Sequence, residues 1–240
     1  MLSKVNLERF TKLQQTSVQN VVREYCQHLF LSYLYQNPGS EKLLFKGGTA
    51  LRIILKSPRF SEYLDFTGAG ITHKEIEELF TNTLANIEKT GMTVHVTEAT
   101  QTTGGYLGIA VFEAYDIKIN VQMEVSLRKS KGFKKTRGLI TSNYIPAYTL
   151  VHLSVDDIIL GKLQALTARH KPRDFYDYFF LLSGDYPAAR TKENLERVRK
   201  LLRQENTNFQ TELKKFLPAS HTMHLRDFKK ILEQKILTYL

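Results

Sequence analysis

The stretch from Phe45 to Thr67 reads FKGGTALRIILKSPRFSEYLDFT and joins a glycine pair, an apolar segment and a polar motif. Gly47 and Gly48 precede residues Thr49 to Lys56, whose apolar content predicts a helix. Glycine lets the main chain approach a ligand closely, and the amides at the start of a helix favour an anion. The pair therefore predicts a turn suited to a phosphate, although an ordinary tight turn has the same sequence.

Four short motifs follow one another between about residues 42 and 183. In order, they read KGGTAL at 46–51, PRFSEYLDF at 58–66, KLQALTAR at 162–169 and RDFYD at 173–177. Together these motifs resemble those of the AbiEii/AbiGii family of nucleotidyltransferase toxins. Four blocks in a fixed order are a far more specific signal than any one of them.

The resemblance implies an activity and its partners. A toxin of this family would transfer a nucleotide from an NTP to an acceptor, such as the end of a tRNA, with Mg²⁺ or Mn²⁺ as cofactor. It would be held in check by an antitoxin protein encoded beside it. The residues also leave open an enzyme that modifies protein hydroxyls instead of RNA.

The pattern along the chain indicates an α+β fold. Predicted strands concentrate between about residues 42 and 150, whereas helical periodicity dominates both ends. The resemblance implies the same architecture, a nucleotidyltransferase-like mixed sheet with flanking helices. We therefore expect an α+β domain with N-terminal helices at 1–150 and a helical C-terminal domain at 151–240 that closes the cleft.

The second motif departs from the family at a position that bears on catalysis. Family members usually place two carboxylates at positions i and i+2 of a strand, so that both leave one face and share a divalent cation. Asp65 keeps the second position, but Tyr63 occupies the first. A neutral, bulky phenol is a poor ligand for Mg²⁺, and Glu62 points to the opposite face. The sequence therefore leaves open a catalytically disabled module that binds nucleotide or RNA.

A long predicted strand supplies a further acidic ligand. From Asp116 to Arg128, apolar and polar residues alternate almost without fault, so the polar face must meet solvent or a cleft. Glu124 lies on that polar face, where the resemblance implies the third carboxylate of the family. Without the resemblance, Glu124 would be interpreted as a solvated strand residue.

The nucleotide-binding residues are assigned through the first two motifs. Gly47, Gly48 and Thr49 suit a turn that holds phosphate, to which the Thr49 hydroxyl would add a donor. The resemblance implies that Ser61 lies against the nucleotide phosphates. A hydroxyl at a turn or at the start of a strand is the alternative interpretation.

The two C-terminal motifs predict the remaining catalytic groups. Lys162 and Arg169 share one helical stripe, so Arg169 is a candidate partner of the lysine and a candidate nucleotide-binding residue. The resemblance implies a phosphate-binding or catalytic role for Lys162 and makes Asp174 a base or a partner that orients the lysine. With Asp65, these two form the predicted catalytic set. A snorkelling surface lysine and a carboxylate that offsets the helix dipole are the alternatives.

The chain is strongly basic, with a formal net charge of +10 and a pI near 9.5, which favours a polyanionic partner. Positive charges cluster between Lys129 and Arg137. Lys131, Lys134, Lys135 and Arg137 are candidates for contact with an RNA backbone. A solvated hairpin loop is the alternative.

Several other classes of protein lack support. The single cysteine, Cys26, rules out an intrachain disulfide and a multi-cysteine zinc site. No apolar run approaches the roughly 18 residues that span a bilayer. The first residues lack the apolar stretch of a signal peptide, so we expect a cytoplasmic protein with no membrane partner. Walker A, Gly-x-Ser-x-Gly and His-Glu-x-x-His motifs are missing, so P-loop and hydrolase functions are unsupported.

Overall fold

The computed structural model describes residues 2–127, 132–223 and 225–240 and divides into two compact units. The first unit contains the chain up to Lys56 together with Phe60–Ser154. The second contains Ser57–Arg59 and Val155–Leu240. The division of the chain into two domains at residue 150 stays a prediction.

The first unit is built on a seven-stranded mixed sheet. In chain order, its strands are β1 (Leu43–Lys46), β2 (Tyr63–Gly68), β3 (Thr93–Thr102), β4 (Gly105–Ala114), β5 (Ile117–Ser126), β6 (Lys135–Ile140) and β7 (Tyr148–Leu153). They lie in the order β3-β4-β5-β2-β1-β7-β6, with β1 parallel to β7, β2 parallel to β5 and the other neighbours antiparallel. With its helices, this sheet confirms the predicted α+β class.

The described residues of the first unit include the helices α1 (Lys4–Leu13), α2 (Val18–Leu34), α3 (Gly47–Ile53) and α4 (His73–Glu88). Helices α2 and α4 pack on the apolar face of the sheet, where Phe66, Phe112 and Met123 are fully buried. Phe80 of α4 lies so close to Gly108 of β4 that an added Cβ would meet its ring at 2.9 Å. The core therefore lies between these helices and one face of the sheet.

Strand β5 has the predicted alternation. Val121, Met123 and Val125 are buried, whereas Gln122 is half-buried and Glu124 is exposed. A strand with this period of two has one face in the core and leaves the other accessible. The second face of the sheet is therefore the one that can carry polar chemistry.

Of two local predictions, the bounds of the helix after the glycine pair differ from the structure and the capping box of α4 is confirmed. The expected helix at Thr49 to Lys56 is shifted, because α3 begins at Gly47 and ends at Ile53. Lys56 has a left-handed conformation with φ of 61°, two residues before Pro58, which prevents a longer helix. The predicted capping box of α4 is confirmed by its reciprocal hydrogen bonds between Thr72 and Glu75.

The second unit is helical. Its helices are α5 (Val155–Arg169), α6 (Pro172–Ser183), α7 (Lys192–Gln204), α8 (Phe209–Leu213), α9 (Ala219–Thr222) and α10 (Phe228–Leu237). Its core contains an aromatic group in which Phe228 lies 5.8 Å from Tyr176 and 5.0 Å from Phe209 between ring centroids. Among the residues that the structure describes, no helix has the length and apolar character needed to cross a membrane.

Candidate active site

Two carboxylates lie side by side on neighbouring strands of the first unit. Asp65 of β2 and Glu124 of β5 are Cα partners in the parallel pairing of these strands. Both belong to the face of the sheet turned away from α2 and α4, where Asp65 is half-buried and Glu124 is exposed. The register of β2 and β5 therefore brings together the two predicted metal ligands, which are far apart in sequence.

The glycine turn packs directly against Asp65. Gly47 has φ of +85°, in the left-handed region, and an added Cβ there would lie 2.0 Å from Asp65 Oδ2. Both the conformation and the close contact require glycine at this position. The main chain of the first motif therefore meets the carboxylate of the second.

The Thr49 side chain is engaged with the main chain. Its hydroxyl donates to the carbonyl oxygen of Tyr63 at 2.5 Å, and the residue is fully buried. This hydrogen bond joins α3 to the start of β2. A contact between Thr49 and a nucleotide stays a prediction.

Tyr63 lies on the same face of β2 as Asp65, two residues earlier. Its Cα partner on β5 is Gln122, whose Nε2 donates to Glu124 Oε1 at 2.6 Å. Within residues 2–127, 132–223 and 225–240, no group of three or more His, Cys, Asp or Glu side chains is placed to hold a metal. Within the described residues, Asp65 and Glu124 are therefore a pair of acidic side chains and not part of a larger group of metal ligands.

This pair fits a divalent cation that arrives with a nucleotide. Mg²⁺ is commonly bound by one or two protein carboxylates together with substrate phosphates and water. Two adjacent carboxylates on one open face meet that requirement without a third protein ligand. The donor set suits a cation shared with a substrate better than a cation enclosed by protein.

The carboxylate pair lines an open pocket with a volume of about 530 Å³. Lys46, the Cα partner of Asp65 on β1, lines the same pocket, as do Thr102 at the end of β3 and the two residues that follow it. Lys46, Asp65 and Glu124 thus form a row across three strands, with one positive and two negative charges. Sequence reasoning missed Lys46, although it opens the first motif.

Ser61 is half-buried just before β2. Its carbonyl oxygen accepts a hydrogen bond from Nε2 of the buried Gln27 at 2.9 Å. This contact fixes the main chain before β2 to α2. The role of Ser61 against nucleotide phosphates stays a prediction.

In the second unit, Asp177 of α6 holds two positive charges. Arg59 donates from Nε and Nη2 to the two carboxylate oxygens at 2.7 and 2.9 Å, and Lys162 Nζ lies 2.8 Å from Oδ2. All three residues are buried. Burial alone would raise the pKa of Asp177, but the charges of Arg59 and Lys162 outweigh it and lower that pKa. Asp177 is therefore favoured as a carboxylate between two basic side chains.

The predicted partners of the lysine are wrong. Asp174 accepts two hydrogen bonds from Arg169, both at 2.7 Å, and the carboxylate partner of Lys162 is Asp177. Lys162 is 8% exposed, which also excludes a snorkelling surface lysine. Asp174 and Asp177 lie about one turn apart on α6, so sequence spacing did not distinguish them. Sequence reasoning therefore missed the contacts of Arg59 and Lys162 with Asp177.

The basic segment is described in part. Lys134, Lys135 and Arg137 are exposed, and the last two lie on β6, an edge strand of the sheet. Because side chains alternate along a strand, Lys135 and Arg137 share one face. Lys131 lies outside the described residues. Contact of this segment with RNA stays a prediction.

The fold is similar to that of two solved structures. The chain is similar to a candidate nucleotidyltransferase from H. pylori, with 17% identity, a TM-score of 0.55 and coverage of 92% of this chain and 98% of that chain. It is also similar to JHP933 from Helicobacter pylori, with 17% identity, a TM-score of 0.58 and coverage of 93% and 95%. At these identities the likeness concerns the fold. No curated protein matches the sequence.

The family is shown by a model that matches residues 29–237 and is described as nucleotidyl transferase AbiEii toxin, Type IV TA system. The chain therefore belongs to the AbiEii nucleotidyltransferase toxin family, as its four motifs predicted. Membership implies an NTP substrate and an antitoxin partner, and the family generally uses a divalent metal.

We expect Gly47→Ala to destabilise the first unit more than Gly91→Ala. Both glycines have φ of +85°, so each alanine pays a similar conformational cost of about 1–2 kcal/mol. An added Cβ at Gly91 meets nothing within 4 Å, whereas at Gly47 it overlaps the Asp65 carboxylate. Urea unfolding of the two variants measures the difference, and equal losses would contradict the proposed contact.

We expect Asp177→Asn to lower the free energy of unfolding by about 3–5 kcal/mol, because Arg59 and Lys162 would stay buried without their counter-charge. Asp174→Asn is the matched control on the same helix. Its partner Arg169 has a side chain that is 43% exposed and can turn to water, so its loss should be smaller. Denaturant unfolding measures the loss of stability in each variant. A loss in Asp177→Asn no larger than in Asp174→Asn would contradict a stabilising role of Asp177 between Arg59 and Lys162.

Proposed function

We propose that this protein is a nucleotidyltransferase toxin that transfers a nucleotide from an NTP to an RNA acceptor, such as the end of a tRNA. The observation that carries the proposal is the register that sets Asp65 beside Glu124, with Gly47 packed against Asp65. Nucleotidyl transfer requires held phosphates, a cation and a positioned acceptor hydroxyl. The glycine turn and the carboxylate pair suit the first two requirements.

In this proposal, Asp65 and Glu124 hold the divalent cation, Mg²⁺ or Mn²⁺. When bound, the cation polarises the α-phosphate and offsets the negative charge of the leaving pyrophosphate. Gly47 and Gly48 hold phosphate through their amides, and Lys46, in register with Asp65, adds a positive charge. Because two carboxylates alone repel a triphosphate, the nucleotide and the cation should bind together.

The remaining assignments rest on the family motifs. Ser61, Thr49 and Arg169 are proposed nucleotide contacts, and Lys162 and Asp174 are proposed catalytic groups. Asp174 fixes the direction of the Arg169 guanidinium through two hydrogen bonds, which suits recognition of a phosphate. Lys162 is held by Asp177, so its ammonium has a defined place.

Charge supports RNA as the acceptor. The net charge of +10 favours a polyanion, and Lys134, Lys135 and Arg137 are exposed. Lysine and arginine bind nucleic acid mainly by neutralising phosphates and releasing counterions. RNA also presents the terminal hydroxyl that a transferred nucleotide requires.

One observation favours a second candidate function. Tyr63 stands at the position of the first metal carboxylate, on the same face of β2 as Asp65. A chain whose catalysis has ended in this way would still bind nucleotide or RNA. Its nucleotide binding would depend only weakly on Mg²⁺, and no label would reach an acceptor.

We expect Tyr63→Asp to raise nucleotide transfer at least roughly tenfold over a weak wild-type level, because it adds a third carboxylate for the cation. The assay supplies each α-labelled NTP separately, with Mg²⁺, total tRNA and cell protein. Tyr63→Phe adds no ligand and should match the wild type.

Label from Tyr63→Asp alone would favour the disabled module. Labelled protein beside unlabelled RNA would make protein the acceptor. No label from any variant would contradict the transferase proposal.

We expect neutralisation of Lys134 and Lys135 to weaken RNA binding and to flatten its salt dependence. Each lost phosphate contact should reduce the slope of log affinity against log salt by about one. The control neutralises Lys74 and Lys89 on or next to α4, which changes the net charge equally. Filter binding over a salt series measures the slope for each variant. Equal slopes for the two variants would indicate that Lys134 and Lys135 are solvated and do not contact RNA.

A further inference from the structure

Helix α3 connects the glycine turn to a polar cluster at its other end. The helix has seven residues, too few to be stable alone, so its contacts fix its position. At its start, Gly47 packs against Asp65 and Thr49 donates to the Tyr63 carbonyl. In its last turn lies Arg52. Whatever holds Arg52 therefore also influences where the turn lies.

Arg52 and three other side chains form a ring of hydrogen bonds. Its Nε and Nη2 donate to the two carboxylate oxygens of Glu24 at 2.6 and 3.1 Å, and Nη2 donates to Gln14 Oε1 at 3.0 Å. Gln14 Nε2 donates to the Tyr144 hydroxyl at 2.5 Å, and that hydroxyl donates to Glu24 Oε2 at 2.7 Å. The ring joins α1, α2 and α3 to the segment between β6 and β7.

The ring is largely shielded from solvent and contains an ion pair. The side chains of Arg52 and Glu24 are 16% and 9% exposed, and Arg52 Cζ lies 3.9 Å from the centroid of the Phe60 ring. Burial alone would raise the pKa of Glu24, but the charge and hydrogen bonds of Arg52, with the Tyr144 hydroxyl, outweigh burial and lower it.

Stability alone does not explain this ring. Apolar side chains of similar volume often replace a buried ion pair without loss of stability, because desolvation offsets its attraction. The ion pair instead supplies direction, since a guanidinium binds a carboxylate with a fixed, two-pronged geometry. A fixed orientation matters for α3, because this helix is short and its first residue, Gly47, lies in contact with Asp65.

We propose that Arg52 is a positioning residue that holds the Gly47–Gly48 turn against Asp65 through its ion pair with Glu24. This inference rests on the proposed function, because it assigns the ring to the geometry of the nucleotide-binding turn. Because α3 has only seven residues, a displacement of Arg52 in its last turn also displaces Gly47 at its start. Loss of the ring therefore displaces the turn while the sheet stays folded.

The test replaces the ion pair by apolar packing, with the double variant Glu24→Met and Arg52→Met. We expect it to fold with an unfolding midpoint near that of the wild type. We expect the amide resonances of Gly47 and Gly48 to shift, and a non-hydrolysable NTP with Mg²⁺ to bind at least roughly tenfold more weakly. Glycine-labelled NMR spectra and isothermal titration give the two readouts.

The matched control is the double variant Lys42→Met and Glu75→Met. It removes another ion pair of the first unit, with Lys42 Nζ and Glu75 Oε1 at 2.7 Å, and the same two charges. Its glycine resonances and NTP affinity should stay as in the wild type. If Arg52 had only a structural role, the glycine resonances and the NTP affinity of the Glu24→Met and Arg52→Met protein would change no more than those of this control.

Wild-type resonances and affinity in the Glu24→Met and Arg52→Met protein would overturn the proposal. If that protein fails to fold, Arg52→Lys keeps the charge and loses the two-pronged contact, and unchanged readouts there would overturn it equally. If the wild type binds no NTP, the proposed function fails. The glycine resonances still decide whether Arg52 positions the turn.

Discussion

The main chain of Gly47 and the carboxylate of Asp65 share a space that no side chain at residue 47 could enter, and the proposed site depends on that approach. The contact fixes where the first motif meets the second. Because β2 lies between β1 and β5, Lys46 and Glu124 follow in the same row as Asp65. Three strands thereby place two carboxylates and one ammonium on a single face of the sheet.

Two arginines within the Phe45–Thr67 stretch are held in the same manner. Arg52 and Arg59 each donate from two guanidinium nitrogens to both oxygens of a buried carboxylate, Glu24 in the first unit and Asp177 in the second. Buried charges are costly to desolvate and add little net stability. An apolar contact cannot reproduce their fixed geometry, so we infer that the Phe45–Thr67 stretch carries positioning residues beside the proposed site residues.

Much of the fold was predictable from the sequence because its signals are local. The alternation of β5 follows from a period of two, and the capping box of α4 from residues three apart. The α+β class and the family followed from the order of elements and motifs. Strand register is not local, so the pairing of Asp65 with Glu124 required the family resemblance or the structure.

The candidate site was predicted less completely than the fold. Lys162 was expected to meet Arg169 or Asp174, but contacts between helices depend on packing, and Asp177 is its partner. Lys46 was missed because a lysine beside a glycine pair has no distinctive spacing. The environment of Thr49 was also missed, since its hydroxyl bonds to a carbonyl on another element.

The proposed function requires that Asp65 and Glu124 hold a divalent cation together with a nucleotide. The most direct measurement is isothermal titration of a non-hydrolysable NTP, with and without Mg²⁺, into the wild type, Asp65→Asn, Glu124→Gln and the control Glu98→Gln, an exposed carboxylate on β3. We expect Mg²⁺ to strengthen binding to the wild type and the control, and this gain to disappear in Asp65→Asn and Glu124→Gln. The same Mg²⁺ gain in all four proteins would contradict a cation held by these two carboxylates.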